Sequence, residues 1–214
     1  MANRDPGRIY VLAGTNGAGK SSVAGATLRR DGTNYFNPDE ATRRIRALRP
    51  DVSEADANSS AWMHGKLRLE RTIAERLTFA FETTLGGHTI TALLEQALDE
   101  GLEVRIWFVG LDSPDRHIAR VRARVSQGGH DIPDEKIRDR YNASRANLLR
   151  LLPRLTELRL FDNSAEADPA TGHAPELLLV LHMTRGRITG MCPPIDVPGW
   201  AKPIVAAALR LQRR

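Results

Sequence analysis

The sequence is poor in the features that mark several common protein classes. It holds a single cysteine, Cys192, which excludes an intramolecular disulfide and any cysteine-rich zinc site. Aromatic residues make up only 5% of the chain. None interleave with arginine as a base-stacking surface requires, so nucleic acid ranks second among possible anionic partners. The longest apolar stretch near the C-terminus, Leu177 to Leu181, is far too short to span a membrane. Met1-Ala2-Asn3-Arg4-Asp5-Pro6 has no apolar signal core. No internal repeat or low-complexity segment is visible. The expectation is a soluble, cytoplasmic protein without a membrane partner.

What is present is a chain of 214 residues with 41% apolar content, enough for one packed α/β domain over residues 1–214. The net charge is +5 and the pI about 9.9. That balance points to an anionic partner, and nucleotide phosphates satisfy it.

The strongest signal is Gly14-Thr15-Asn16-Gly17-Ala18-Gly19-Lys20-Ser21, which fits the G-x-x-x-x-G-K-[ST] phosphate-binding loop. The apolar run Ile9 to Ala13 precedes it as a buried strand, and residues Ser22 to Arg30 follow as a helix. Glycines let the backbone wrap phosphate oxygens, while successive N–H groups and the helix N-terminus supply positive potential. Lys20 can reach the β- and γ-phosphates, and the Ser21 hydroxyl can ligate Mg²⁺. The implied ligands are ATP and Mg²⁺, with Gly14, Asn16, Gly17, Ala18, Gly19, Lys20, Ser21 and Ser22 as the nucleotide cradle.

Downstream, Asn34 to Phe36 reads as a short strand and Asn37-Pro38-Asp39-Glu40 as a helix start, with Asn37 as N-cap. Asp39 reads equally as a first-turn acid or as a general base at the mouth of the site. A second helix runs from Ser53 to about Leu77, with Trp62 and Met63 expected in the core. Thr78 to Phe81 is the next strand, and Glu82-Thr83-Thr84-Leu85-Gly86-Gly87 stands at its end. Ligands of open parallel sheets sit at the carboxyl ends of strands, so Glu82, Thr83 and Thr84 are candidates for substrate contacts or for holding a Mg²⁺-bound water. Thr89 or Thr91 is expected to cap the following helix, Ile90 to Asp99.

Glu103 to Gly110 is a strand, and Asp112 is the expected cap of the helix from Pro114 to about Ser126. On that helix Ile118, Val121 and Val125 form a core stripe, with His117, Arg120 and Arg124 beside it. Gln127-Gly128-Gly129-His130 links it to a helix starting at Pro133 with Ile137, Tyr141, Ser144, Leu148 and Leu152 on one face. Two arginine-bearing helices over a Gly-Gly turn read as a lid, about residues 113–152, that closes over a nucleotide. Leu158 to Phe161 is a late strand ending at Asp162-Asn163-Ser164, where an adenine pocket or a plain Asx turn fits. Residues 175–214 read as a hairpin and a terminal helix from Pro198 to Leu211, without chemistry. The fold class is α/β: a P-loop NTPase three-layer sandwich with a mostly parallel sheet and a helical lid.

These motifs, in order and spanning about residues 8 to 164, resemble the zeta-toxin family of P-loop kinases, most nearly its uncharacterised bacterial and chromosomal branch. The pieces are Ala13 to Ser21, Asn37 to Glu40, Phe81 to Leu85, Arg124-Val125 through Gly128 to Pro133, Arg140-Tyr141 and Asp162 to Ser164. The resemblance implies an ATP-dependent phosphotransferase acting on a hydroxyl of a sugar nucleotide such as UDP-N-acetylglucosamine, and an antitoxin protein as partner. It implies Asp39 as the base. It gives Glu82, Thr83, Thr84 and His130 to the substrate, Asn163 to the nucleotide, and Lys20, Arg120, Arg124 and Arg140 to the transition state. Where toxin members carry a second lid arginine, this chain has Gly129-His130, so that role passes to Arg138 or Arg140 or is weakened. The competing readings are a polynucleotide or small-metabolite kinase and a nucleotide-dependent binding module without turnover.

Overall fold

The structure, a computed structural model, describes residues 6–23, 35–165 and 177–213. Seven strands form one sheet: β1 (Arg8–Ala13), β2 (Tyr35–Phe36), β3 (Thr78–Thr83), β4 (Glu103–Gly110), β5 (Glu157–Asp162), β6 (Leu178–Thr184) and β7 (Arg187–Met191). Their order is β2-β3-β1-β4-β5-β6-β7. The first five are parallel, and β6 and β7 add an antiparallel hairpin. The described helices are α1 (Lys20–Val23), α2 (Pro38–Leu48), α3 (Glu54–Glu75), α4 (His88–Asp99), α5 (Pro114–Val125), α6 (Asp134–Leu151) and α7 (Lys202–Gln212). No described helix is long and apolar enough to cross a membrane.

From β1 the chain runs out to β2, returns to β3 beside β1, and then crosses over to β4 on the other side of β1. That reversal opens a crevice at the carboxyl ends of the strands, where the Gly14–Ser21 loop begins. β3 runs two residues further than the apolar pattern indicates. Glu82 and Thr83 pair in register with Leu12 and Ala13 of β1, so backbone pairing carries two polar residues to the sheet's edge on a strand rather than a loop.

Helix starts follow local chemistry, with some changes of residue. Asn37 caps α2 as expected, its Oδ1 accepting from the amides of Asp39 and Glu40. Ser113, not Asp112, caps α5, and Asp112 takes Arg116 Nε at 2.9 Å instead. α4 begins at His88 with Gly87 as its cap residue, and Thr91 donates back to the Gly87 carbonyl rather than capping. α7 starts at Lys202, later than Pro198, because Pro203 must lie in the first turn, where it breaks no helical hydrogen bond. The expected continuation of α1 to Arg30 lies outside the described residues, as do Met1–Asp5.

The helices expected to form a lid divide their packing. Tyr141, Leu148 and Leu151 of α6 belong to the main core with β1, β3, β4 and β5. Ile118 and Val121 of α5, Ile132 and Ile137 pack in a separate small cluster. Of the two helices, α5 is therefore the one that packs outside the main core, against the phosphate loop through His117.

The C-terminal segment does more than cover the sheet. Trp200 is buried against Phe108, and its Nε1 donates to Asp162 Oδ1 at 2.7 Å. A side chain at Gly110 would stand 2.4 Å from that indole. Trp200→Ala is expected to lower stability by about 3–5 kcal/mol. Trp200→Phe, which mainly removes the donor, should cost about 1–2 kcal/mol. Chemical denaturation of the two variants measures both.

Candidate active site

The loop after β1 takes a conformation that only its glycines permit. Gly14 has φ 140°, and a Cβ there would stand 2.1 Å from the Val109 carbonyl of β4. Gly17 has φ 80°, with the His117 carbonyl 2.6 Å from any Cβ. The loop thus lies flush against β4 and α5, with the α1 N-terminus at its end. Asn16, Gly17, Gly19, Lys20 and Ser21 line a cavity of about 650 Å³, within the size range of small-molecule sites. Gly14 and Ala18 stand behind it. Ser22 lies in α1, and its side chain is outside the described residues.

Glu82 is the electrostatic centre. Its Oε2 accepts from Ser21 Oγ at 2.9 Å, Tyr35 OH at 2.8 Å and Asn37 Nδ2 at 3.0 Å. Lys20 Nζ lies 3.5 Å from its other oxygen and donates to the Thr15 carbonyl at 3.4 Å. Lys20 and Glu82 are both buried. The sequence singled out Glu82 but not its partners: Tyr35 and Asn37 come from β2 and the start of α2. Ser21 and Glu82 together offer hard oxygen donors suited to Mg²⁺. Among the described residues no cluster of three His, Cys, Asp or Glu could hold a metal. A cation here would therefore take most of its ligands from phosphates and water.

Asp39 follows the α2 cap, is more than half exposed and lines the same cavity. Arg124 Nη1 lies 3.9 Å from its carboxylate. Arg120, Arg124 and Arg140 all line the cavity. Arg140 donates to Asn16 Oδ1 at 2.8 Å. Burial lowers its guanidinium pKa, and Asp39 opposes that shift. Arg138 points outward to Asp115, so of the two arginines offered by α6 it is Arg140 that reaches the site. Arg124 Nε is buried without a hydrogen-bond partner among the described residues.

Thr83 and Thr84 also line the cavity. Each hydroxyl accepts a backbone amide, from Leu85 and Gly86 respectively, and keeps its own hydrogen to donate. The loop they open is strained: buried Leu85 has φ 55°, a left-handed conformation costing about 1–2 kcal/mol. Asn147 of α6 holds it by donating to the Leu85 carbonyl at 2.8 Å. Gly87, on the lip, has ordinary extended torsions, and a Cβ there meets nothing within 4 Å.

Three expectations need correction. His130 does not face the cavity. Its Nδ1 pairs with Glu54 in the first turn of α3, and its carbonyl accepts from Arg124. Asn163 does not line this cavity. Its amide donates to the Ala18 carbonyl at 2.9 Å and fills the space beside Gly19, bracing the phosphate loop. Trp62 and Met63 are not core residues; they are 43% and 46% exposed, and Trp62 lines the cavity.

His117 is a residue whose part the sequence left undefined. It is fully buried, its Nδ1 bonds the Asn16 carbonyl at 2.8 Å and its ring stands edge-on to Tyr141. A carbonyl only accepts, so Nδ1 carries the proton and Nε2, which is buried without a hydrogen-bond partner among the described residues, is the bare nitrogen. Burial, helped by the charges of Lys20 and Arg120, lowers its pKa from 6.5 to about 4 against that backbone bond.

The family model described as zeta toxin matches residues 3–167, most of the chain, and the chain belongs to that family. An uncharacterised protein of Haemophilus influenzae is 29% identical over 135 residues, covering 63% of this chain and 92% of its own. Among solved structures, the AvrRxo1-ORF1:-ORF2 complex superposes with a TM-score of 0.65 at 16% identity, over 96% of this chain and 70% of the other. The same complex with ATP gives 0.62 at 17% identity, and this chain spans only 63% of that relative. The PezAT chromosomal toxin–antitoxin system of Streptococcus pneumoniae gives 0.54 at 11% identity, over 100% of this chain and 90% of the other. At such identities the structural likeness establishes the fold.

A depressed histidine pKa means that the unfolded chain takes up the proton first. Stability from His117 is therefore fully present above about pH 6.5 and is lost as pH falls toward about 4. The loss is expected to reach about 3 kcal/mol. Urea unfolding across that range should show the slope. His117→Asn, which keeps a donor near Asn16 without a titrating ring, should be less stable at neutral pH and should flatten it.

Proposed function

We propose that this zeta toxin family member is an ATP-dependent phosphotransferase that phosphorylates a hydroxyl of a sugar nucleotide such as UDP-N-acetylglucosamine. The observation carrying the reading is that a phosphate loop with its lysine and the exposed carboxylate of Asp39 line one cavity, with Arg120, Arg124 and Arg140 around it. A binding module has no need of an exposed acid beside the phosphate site. A phosphotransferase needs a donor cradle, a group to take the acceptor proton and cations for the transferring group.

The chain's residues divide the work as follows. Backbone amides of the loop and the buried Lys20 ammonium hold the β- and γ-phosphates. Ser21 and Glu82 would hold Mg²⁺ directly or through water, and the metal would neutralise phosphate charge as it is transferred. Asp39 orients the acceptor hydroxyl and accepts its proton as the oxygen–phosphorus bond forms. Arg124 and Arg140 stabilise the charge on the transferring group. Thr83 and Thr84 donate to the acceptor. ATP as the donor is supported by the ATP-bound form of the AvrRxo1 complex, and an antitoxin as protein partner by the PezAT toxin–antitoxin system.

Lys20→Ala is expected to abolish transfer. Asp39→Asn should keep ATP affinity while slowing transfer by about 10²–10⁴-fold. Labelled-phosphate transfer from ATP to UDP-N-acetylglucosamine, with ATP binding measured in parallel, checks both. Undiminished transfer by Asp39→Asn would remove it as the base. Transfer to RNA ends in place of the sugar nucleotide would overturn the acceptor. A metabolite extract screened for the mass gain of one phosphoryl group, with Lys20→Ala as the blank, finds the acceptor directly.

A further inference from the structure

Trp62 stands out once the cavity is assembled. It sits in the third turn of a well-formed helix, α3, yet is 43% exposed and lines the cavity. The packing of α2 on α3 fixes where the indole lies. Thr42 Oγ1 donates to Asn58 Oδ1 at 2.9 Å, and Arg46 lies 3.6 Å from Glu54. The two helices are thus antiparallel. Continuing that pairing toward the α2 N-terminus brings Trp62 opposite Pro38, beside Asp39. Pro38 and Asp39 line the cavity with it. Gly65 holds the approach close, since a Cβ there would stand 2.6 Å from the Phe36 ring.

A large aromatic face at the edge of a site, with no ring partner among the described residues, is apolar surface positioned for a ligand. Beside a carboxylate that handles a hydroxyl, the complementary group is the ring bearing that hydroxyl. An open-chain alcohol offers no face to stack. A saturated sugar ring offers a flat array of C–H groups with hydroxyls at its rim, which matches an indole that shares one cavity with Asp39 and with the hydroxyls of Thr83 and Thr84. Resting on the phosphotransferase reading above, we infer that Trp62 is the platform on which the hydroxyl-bearing sugar ring of the acceptor stacks, making it a specificity residue for cyclic sugars.

The test uses the full chain with a non-hydrolysable ATP analogue in the donor half. Tryptophan emission is followed on titration with UDP-N-acetylglucosamine, N-acetylglucosamine, UDP and uridine. The other two tryptophans, Trp107 and Trp200, do not line the cavity. The two sugar-bearing probes should change the emission, UDP and uridine should not, and Trp62→Phe should remove the signal while binding nearly as well. In transfer assays Trp62→Ala should raise the acceptor KM about tenfold and leave kcat within about threefold. The KM for ATP should not move. Leu67→Ala, an exposed position on the same helix away from the cavity, should do neither.

An emission change with UDP or uridine equal to that with UDP-N-acetylglucosamine overturns the inference, as does an unchanged acceptor KM in Trp62→Ala. Those results leave the phosphotransferase reading standing. A Trp62-dependent signal from the sugars without phosphate transfer sinks that reading and supports the platform. Neither signal nor transfer with any probe overturns both.

Discussion

The carboxylate of Glu82 is the point on which the site depends. Four donors converge on it, from the phosphate loop, β2 and the first residue before α2. A buried acid costs stability unless its acceptors are filled. Here three of the four donors stand at key positions: the loop lysine, the loop serine and the residue that caps the helix carrying Asp39; Tyr35 of β2 is the fourth. One charge therefore sets the spacing between the phosphate loop and the helix start that carries Asp39. Removing it would leave Lys20 buried without its anion and α2 without its anchor to β3.

α6 carries the second constraint. Along one helix, Arg140 reaches Asn16, Ser144 bonds Thr15 at 3.2 Å, Tyr141 backs His117 and Asn147 pins the strained Leu85. The phosphate loop and the Thr83–Gly87 loop are thus braced by the same rod, and that rod is rooted in the main core. α5 packs instead in a small cluster that it shares with Ile137 at the start of that rod. Two helices that periodicity alone shows as a matched pair thus pack differently.

Much of this was legible in the sequence where function is local. The phosphate loop, the Asn37 cap, the strand that leads to Glu82 and the arginine stripe on α5 are each set by neighbours a few residues apart, and a pattern records them. What sequence could not give is what lies opposite a side chain. Trp62 shares helical spacing with Leu69 and Ile73, but periodicity does not say that its part of the face meets a cavity. His130 sits beside the lid turn, yet its direction is decided by Glu54, far away in the chain. Asn163 follows a strand end as a ligand contact would, and the Ala18 carbonyl claims it. His117 lay beside Arg120 and Arg124 with no sign that the phosphate loop would bury it.

Gly87 has a different kind of consequence. It lines the cavity, its torsions suit any residue, and a side chain there would touch nothing. At Gly14, Gly17, Gly65 and Gly86, by contrast, a side chain would strike backbone or a neighbouring side chain. Mutational drift at Gly87 changes the outline of the cavity without touching the scaffold. A lineage could therefore reshape the mouth of the cavity there while the phosphate loop stays as it is.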